Sequence, residues 1–178
     1  YTNVLNMLDL AGIPIHRSER TGLTPLVVAG GTSCCNPEPL SDFVDLFLIG
    51  EGEELDREVI ELYIRAKECG WSKEVFLTAA SKIGGVYVPA LYEPRYAPDG
   101  TVERIDRAPG APEHVTKRIV EDFENSVFPV NPIVPSTEIV HDRVTIELFR
   151  GCIRGCRFCQ AGYAYRPVRS RSVGNVVQ

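Results

Sequence analysis

The chain has 178 residues, 44% hydrophobic and 24% charged, with a net charge of −5. It is globular in composition and long enough for one good core or two small ones. No apolar run approaches the ~20 residues that span a bilayer, no signal-peptide pattern is present, and the six cysteines do not read as a secreted disulfide frame. The expected setting is therefore the reducing cytoplasm. In chain order, Val4, Leu5, Leu8 and Ala11 fall at helical spacing over residues 3–11, and Gly12 with Pro14 stops the helix. Residues 25–29, an unbroken apolar run, read as a buried parallel strand. It runs into Gly30-Gly31, after which residues 37–44 suit a short helix capped by Asn36. Residues 45–49 read as a second buried strand, broken by Gly50-Glu51-Gly52. Residues 53–69 give the clearest helix, with Leu55, Val59, Leu62, Tyr63 and Ala66 on one face and Gly70 closing it. Ser72 caps a further helix through residue 80 or 81. This alternation argues for an α/β fold with a doubly wound, Rossmann-like parallel sheet over residues 1–83.

From Gly84 the texture changes. Residues 86–89 and 91–96 read as short strands, and Asp99-Gly100 as a hairpin turn into a strand over 101–105. Residues 107–136 hold five of the 13 prolines, so residues 84–135 read as a β-rich and Pro-rich connector with little core of its own. Residues 144–149 alternate polar and apolar side chains and predict a strand leading directly into the densest chemistry of the chain.

That chemistry is Phe149-Arg150-Gly151-Cys152-Ile153-Arg154-Gly155-Cys156-Arg157-Phe158-Cys159. Three thiolates on one short loop suit three corners of a four-iron cluster and leave one iron without a protein ligand. Gly151 and Gly155 let the backbone curl around a bulky group. The charge is segregated as well. All 24 acids lie in residues 1–149, against 13 of the 19 basic residues, while residues 150–178 carry six arginines and no acid. Arg150, Arg154 and Arg157 stand close enough in sequence to offset thiolate charge. The competing reading is a structural zinc site with a fourth ligand from Cys34, Cys35, Cys69 or His141.

The loop resembles the C-x3-C-x-aromatic-C signature of radical S-adenosylmethionine enzymes. The resemblance implies that Cys152, Cys156 and Cys159 ligate a [4Fe–4S] cluster, with S-adenosylmethionine on the remaining iron and Phe158 flanking its adenine. It also implies reductive cleavage of S-adenosylmethionine to a 5′-deoxyadenosyl radical, an external electron donor such as flavodoxin or ferredoxin, and a substrate the sequence does not name. On this reading residues 136–178 begin a β/α barrel, represented by its first strand and cluster loop, and the chain is part of a larger enzyme, inert without the rest. Residues 1–14, 36–40 and 150–171 together resemble an uncharacterised radical S-adenosylmethionine family with a cobalamin-binding-like N-terminal domain. The Asp-x-His-x-x-Gly pattern that ligates cobalt is absent around His16, His114 and His141. Cobalamin is thus not expected on this stretch, although a longer parent leaves room for it.

Two other readings stand beside this one. Residues 163–172, with Arg169-Ser170-Arg171, are similar to the stretch after the cluster loop in methylthiotransferases that modify RNA or protein, which makes nucleic acid a possible partner. A third reading is a cofactor-binding or regulatory α/β domain. Cys34 and Cys35, adjacent and therefore poorly placed to bridge each other, are expected to pack or to be incidental.

Overall fold

The computed structural model describes every residue save 128, 130, 132, 142, 144 and 178. It divides into two compact units, Tyr1–Ile119 and Val120–Gln178.

The first unit opens with helix α1 (Thr2–Leu10), which buries Leu8 and ends at Ala11 and Gly12, the glycine lying at φ +65°. Strands β1 (Val28–Gly30) and β2 (Leu46–Leu48) pair in parallel, Val28 opposite Leu46 and Gly30 opposite Leu48. The helix expected over 37–44 is instead a 3-10 turn at Glu38–Leu40, preceded by Pro37 rather than by an Asn36 cap. Pro39 has no N–H to give to an α-helical ladder, and the amides of Leu40 and Ser41 bond three residues back, to Pro37 and Glu38.

Helix α2 (Gly52–Glu68) buries Leu55, Val59 and Ala66. It closes with a Schellman arrangement: Trp71 N donates to Ala66 O at 2.9 Å and Gly70, at φ +64°, donates to Lys67 O at 3.3 Å. Helix α3 (Lys73–Ala80) follows at once, its N-terminus capped by Ser72 Oγ, which accepts from Val75 N at 3.3 Å. Strand β3 (Val86–Tyr87) then joins the free edge of β2 antiparallel, Phe47 opposite Tyr87. The order is β1-β2-β3 with one parallel pair. Strand β3 belongs to the stretch from residue 84 that was expected to be a connector, and it joins the sheet antiparallel, where the doubly wound reading of residues 1–83 had only parallel strands. Two helices in succession explain the difference. A single crossover helix returns the chain to the starting end of the sheet, whereas α2 followed by α3 brings it back to the end it left, so β3 runs the other way.

The period-two alternation of β2 splits the core. Leu46 packs with Leu55, Val59, Phe76, Leu77 and Val86, while Phe47 packs on the other face with Cys34 and Val44. At the head of β2, Asp45 is buried with Arg20 and Lys73. Arg20 Nε donates to Asp45 Oδ2 at 3.1 Å, Val27 N donates to the same oxygen at 2.8 Å, and Lys73 Nζ lies 2.6 Å from Oδ1. Arg20 also donates to the carbonyls of Pro14, Ile15 and Phe43, tying the segment after α1 to the sheet.

Beyond β3 stands the hairpin β4 (Tyr92–Tyr96) and β5 (Val102–Arg107). Its turn is held by Asp99, whose Oδ1 accepts from the amide and hydroxyl of Thr101 at 3.0 and 2.7 Å. The chain then returns to the sheet, and Arg118 forms a parallel bridge with Gly50. Arg118 N donates to Ile49 O at 2.9 Å and Glu51 N to Arg118 O at 3.1 Å. Gly50 sits at φ +119°, and a Cβ there would fall 2.2 Å from Arg118 O. The backbone that approaches this glycine loop so closely is thus the chain's own. The Arg118 guanidinium spans Glu54 and Glu58 of α2 at 2.8 and 2.6 Å.

In the second unit, strand β6 (Phe149–Arg150) pairs antiparallel with β7 (Arg169–Ser170), and the short helices α4 (Ala161–Ala164) and α5 (Val173–Val176) follow the loop and the strand. The expected strand over 144–149 is reduced to its last residue. Residues 145–148 are irregular, and 144 lies outside the described residues. The pairing partner is only two residues long, extended by one bond from Arg171 N to Leu148 O at 2.9 Å. Ser172 caps α5, accepting from Asn175 N at 3.2 Å. No helix among the described residues is long and apolar enough to cross a membrane.

Candidate metal centre

The three cysteines lie on the loop that leaves β6 and enters α4. Two glycines allow its course. Gly151, at φ +102°, would place a Cβ 2.7 Å from Tyr165 O and 2.9 Å from Pro167 O, and a Cβ on Gly162 would lie 2.8 Å from Arg154 O. Neither position has room for a side chain. Between them, Cys159 N donates to Cys156 O at 3.0 Å, closing a tight turn around Arg157 and Phe158.

Cys152 and Cys159 are half-buried, Cys156 is exposed, and none forms a disulfide. Among the described residues no group of three or more His, Cys, Asp or Glu side chains is gathered closely enough to hold a metal ion. The loop thus carries the three thiols without drawing them together. Phe158, the expected flank of an adenine, stands 92% exposed, and Ile153 is 82% exposed.

What holds the loop at its two ends is a feature the sequence reading missed. Phe123 is only 2% exposed, and three guanidinium groups pack on its ring: Arg171 at 4.4 Å, Arg150 at 4.9 Å and Arg169 at 5.4 Å from the centroid. Arg150 lies immediately before the loop, and the other two lie beyond α4, on β7 and directly after it. Each is fixed further. Arg150 donates to both carboxylate oxygens of Glu147 at 2.9 and 2.8 Å. Arg169 Nη1 donates to Val120 O at 2.6 Å, and Arg171 Nη2 to Ser126 Oγ at 2.9 Å. Glu124 completes the clasp by accepting from the hydroxyl and amide of Ser172, and these bonds, helped by Arg171, hold its carboxyl below the ordinary range. Arg150 is therefore turned to Glu147 and Phe123 rather than reserved for thiolate charge, while Arg154 and Arg157 are exposed on the loop itself.

The remaining candidates lie apart. Cys34 packs against Val44 and Phe47, and its thiol is pushed up by burial and then by Cys35. Cys35 and Cys69 are exposed.

The donor set suits an iron–sulfur cluster: three free thiols within eight residues. A family model described as radical SAM proteins, N-terminal, matches residues 1–89, half of the chain. The chain belongs to that family. No curated protein and no solved structure matches it.

Proposed function

We propose that Cys152, Cys156 and Cys159 hold a [4Fe–4S] cluster and that the chain forms part of a radical S-adenosylmethionine enzyme. The observation that carries this reading is the agreement of two separate stretches. The family match covers residues 1–89, and the C-x3-C-x2-C loop lies wholly outside it, at 152–159. The cluster would supply the electron that splits S-adenosylmethionine into methionine and a 5′-deoxyadenosyl radical. The chain's own residues do the rest of what can be assigned. Gly151 permits the sharp exit from β6, Arg154 and Arg157 set positive charge beside the thiolates, and Phe158 offers an apolar ring to an adenine.

The proposed partner is a small electron-donor protein of the flavodoxin or ferredoxin kind, in the cytoplasm. Arg169 and Arg171, in the stretch that carries the resemblance to methylthiotransferases, pack on Phe123, which weighs against that alternative. Anaerobic reconstitution with iron and sulfide tests the reading. A brown protein absorbing near ~400 nm with about four irons per chain is expected, along with a change in the paramagnetic resonance of the reduced cluster when S-adenosylmethionine is added. One tight zinc and no chromophore would overturn it.

A further inference from the structure

In the first unit a cleft of about 520 Å³ opens between the end of β2, strand β3 and the hairpin β4–β5, a size typical of small-molecule sites at roughly 300–1,000 Å³. Pro37 and Glu38 follow β1, and Ile49 directly follows β2, so the cleft lies outside the carboxyl ends of the parallel pair, where α/β sheets take ligands. Its main wall is aromatic. The rings of Tyr87 and Tyr92 lie 5.1 Å apart, tilted by 33°. Both hydroxyls are engaged with protein acceptors, Tyr87 with the Glu38 carboxylate and Tyr92 with Pro112 O at 2.8 Å. The two tyrosines therefore offer ring surface to an occupant, not their hydroxyl donors.

The hairpin sorts its charges by face. Glu93, Arg95, Arg104 and Asp106 pair with one another on the back. On the front, Arg107 stands directly opposite Tyr92 and Ile105 opposite Pro94. Arg107 makes one long hydrogen bond, 3.4 Å to Ala111 O, among the described residues, so most of its guanidinium donors remain available. At the rim, His114 Nε2 lies 3.8 Å from the Glu113 carboxylate, both side chains largely in solvent.

We infer that this cleft binds a planar heteroaromatic ring carrying a phosphate, the ring on Tyr87 and Tyr92 and the phosphate on Arg107. Stacking on tyrosine supplies the flat contact, and a guanidinium is the side chain best matched to two phosphate oxygens.

Flavin mononucleotide is a suitable probe, because stacking on tyrosine quenches its fluorescence. Titration of the full chain should give saturable quenching. Riboflavin, which has the ring without the phosphate, should bind at least about tenfold more weakly, as expected for the loss of a charged hydrogen bond. Adenosine monophosphate should displace the flavin, and adenosine should do so only at concentrations at least about tenfold higher. Arg107→Gln should bring flavin mononucleotide and riboflavin to equal affinity, and Tyr92→Leu should weaken both. Absence of saturable quenching, equal affinity for the two flavins in the unmodified chain, or retained discrimination in Arg107→Gln would each overturn the assignment. The comparison of the two flavins requires no variant, so it decides the question independently of any effect of Tyr92→Leu on folding.

Discussion

Asp45 is 1% exposed and meets two cations and a backbone amide. Removing one member of such a buried set strands the others. Asp45→Ala should therefore destabilise the first unit by about 3–5 kcal/mol, read from the denaturant midpoint. The sequence shows Asp45 only as the polar head of an apolar run. Its partners stand at residues 20 and 73 with no periodic relation to it, so the network became visible only in three dimensions. Tyr87 carries a pH dependence. Burial pushes its hydroxyl well above the ordinary range, and the bond to Glu38 adds to the rise. The unfolded chain thus loses that proton first. The stabilising contribution is full below the ordinary tyrosine value of about 10 and is lost as pH rises above it. Tyr87→Phe should flatten the fall in stability between about pH 10 and about pH 12, measured by denaturant titration at each pH.

At the scale of elements, what was legible is what local rules govern. The bounds of α2 and α3 follow from apolar periodicity, from Gly70 and from Ser72, whose cap is present in the structure. Ser72→Ala should cost about 1 kcal/mol in thermal or denaturant unfolding. The direction of β3 was not legible, because it depends on how two helices reverse the chain, a property of no single window. The close fit at Gly50 was equally hidden, since a glycine loop shows that something approaches and not what. Gly50→Ala should push the Arg118 bridge away from the sheet end. The expected result is faster hydrogen exchange at the amides of Glu51 and Arg118, with α3 unaffected.

For the whole molecule, the cysteine spacing was legible at once because the three thiols stand within eight adjacent residues, 152–159. The clasp could not, since Arg169 and Arg171 reach partners 45 to 49 positions earlier in the chain. Loop and clasp should respond differently to change. Gathering three thiols around a cluster should slow hydrogen exchange across residues 152–160, and mass spectrometry of the chain before and after reconstitution measures this. Phe123→Ala should instead destabilise the second unit by about 3–5 kcal/mol, as for other buried aromatics, with loss of protection at β6 and β7.

The Phe123 clasp also bears on what kind of ligand a metal can be here. In a zinc finger the ion is the keystone, and chelation collapses the arch. In this chain the two feet of the loop are tied by an aromatic ring, three guanidinium groups and a carboxylate, none of them a thiol. A cofactor on the cysteines would therefore be a tenant in a frame that already stands, free to arrive late, to be oxidised away and to be rebuilt while the frame keeps its shape.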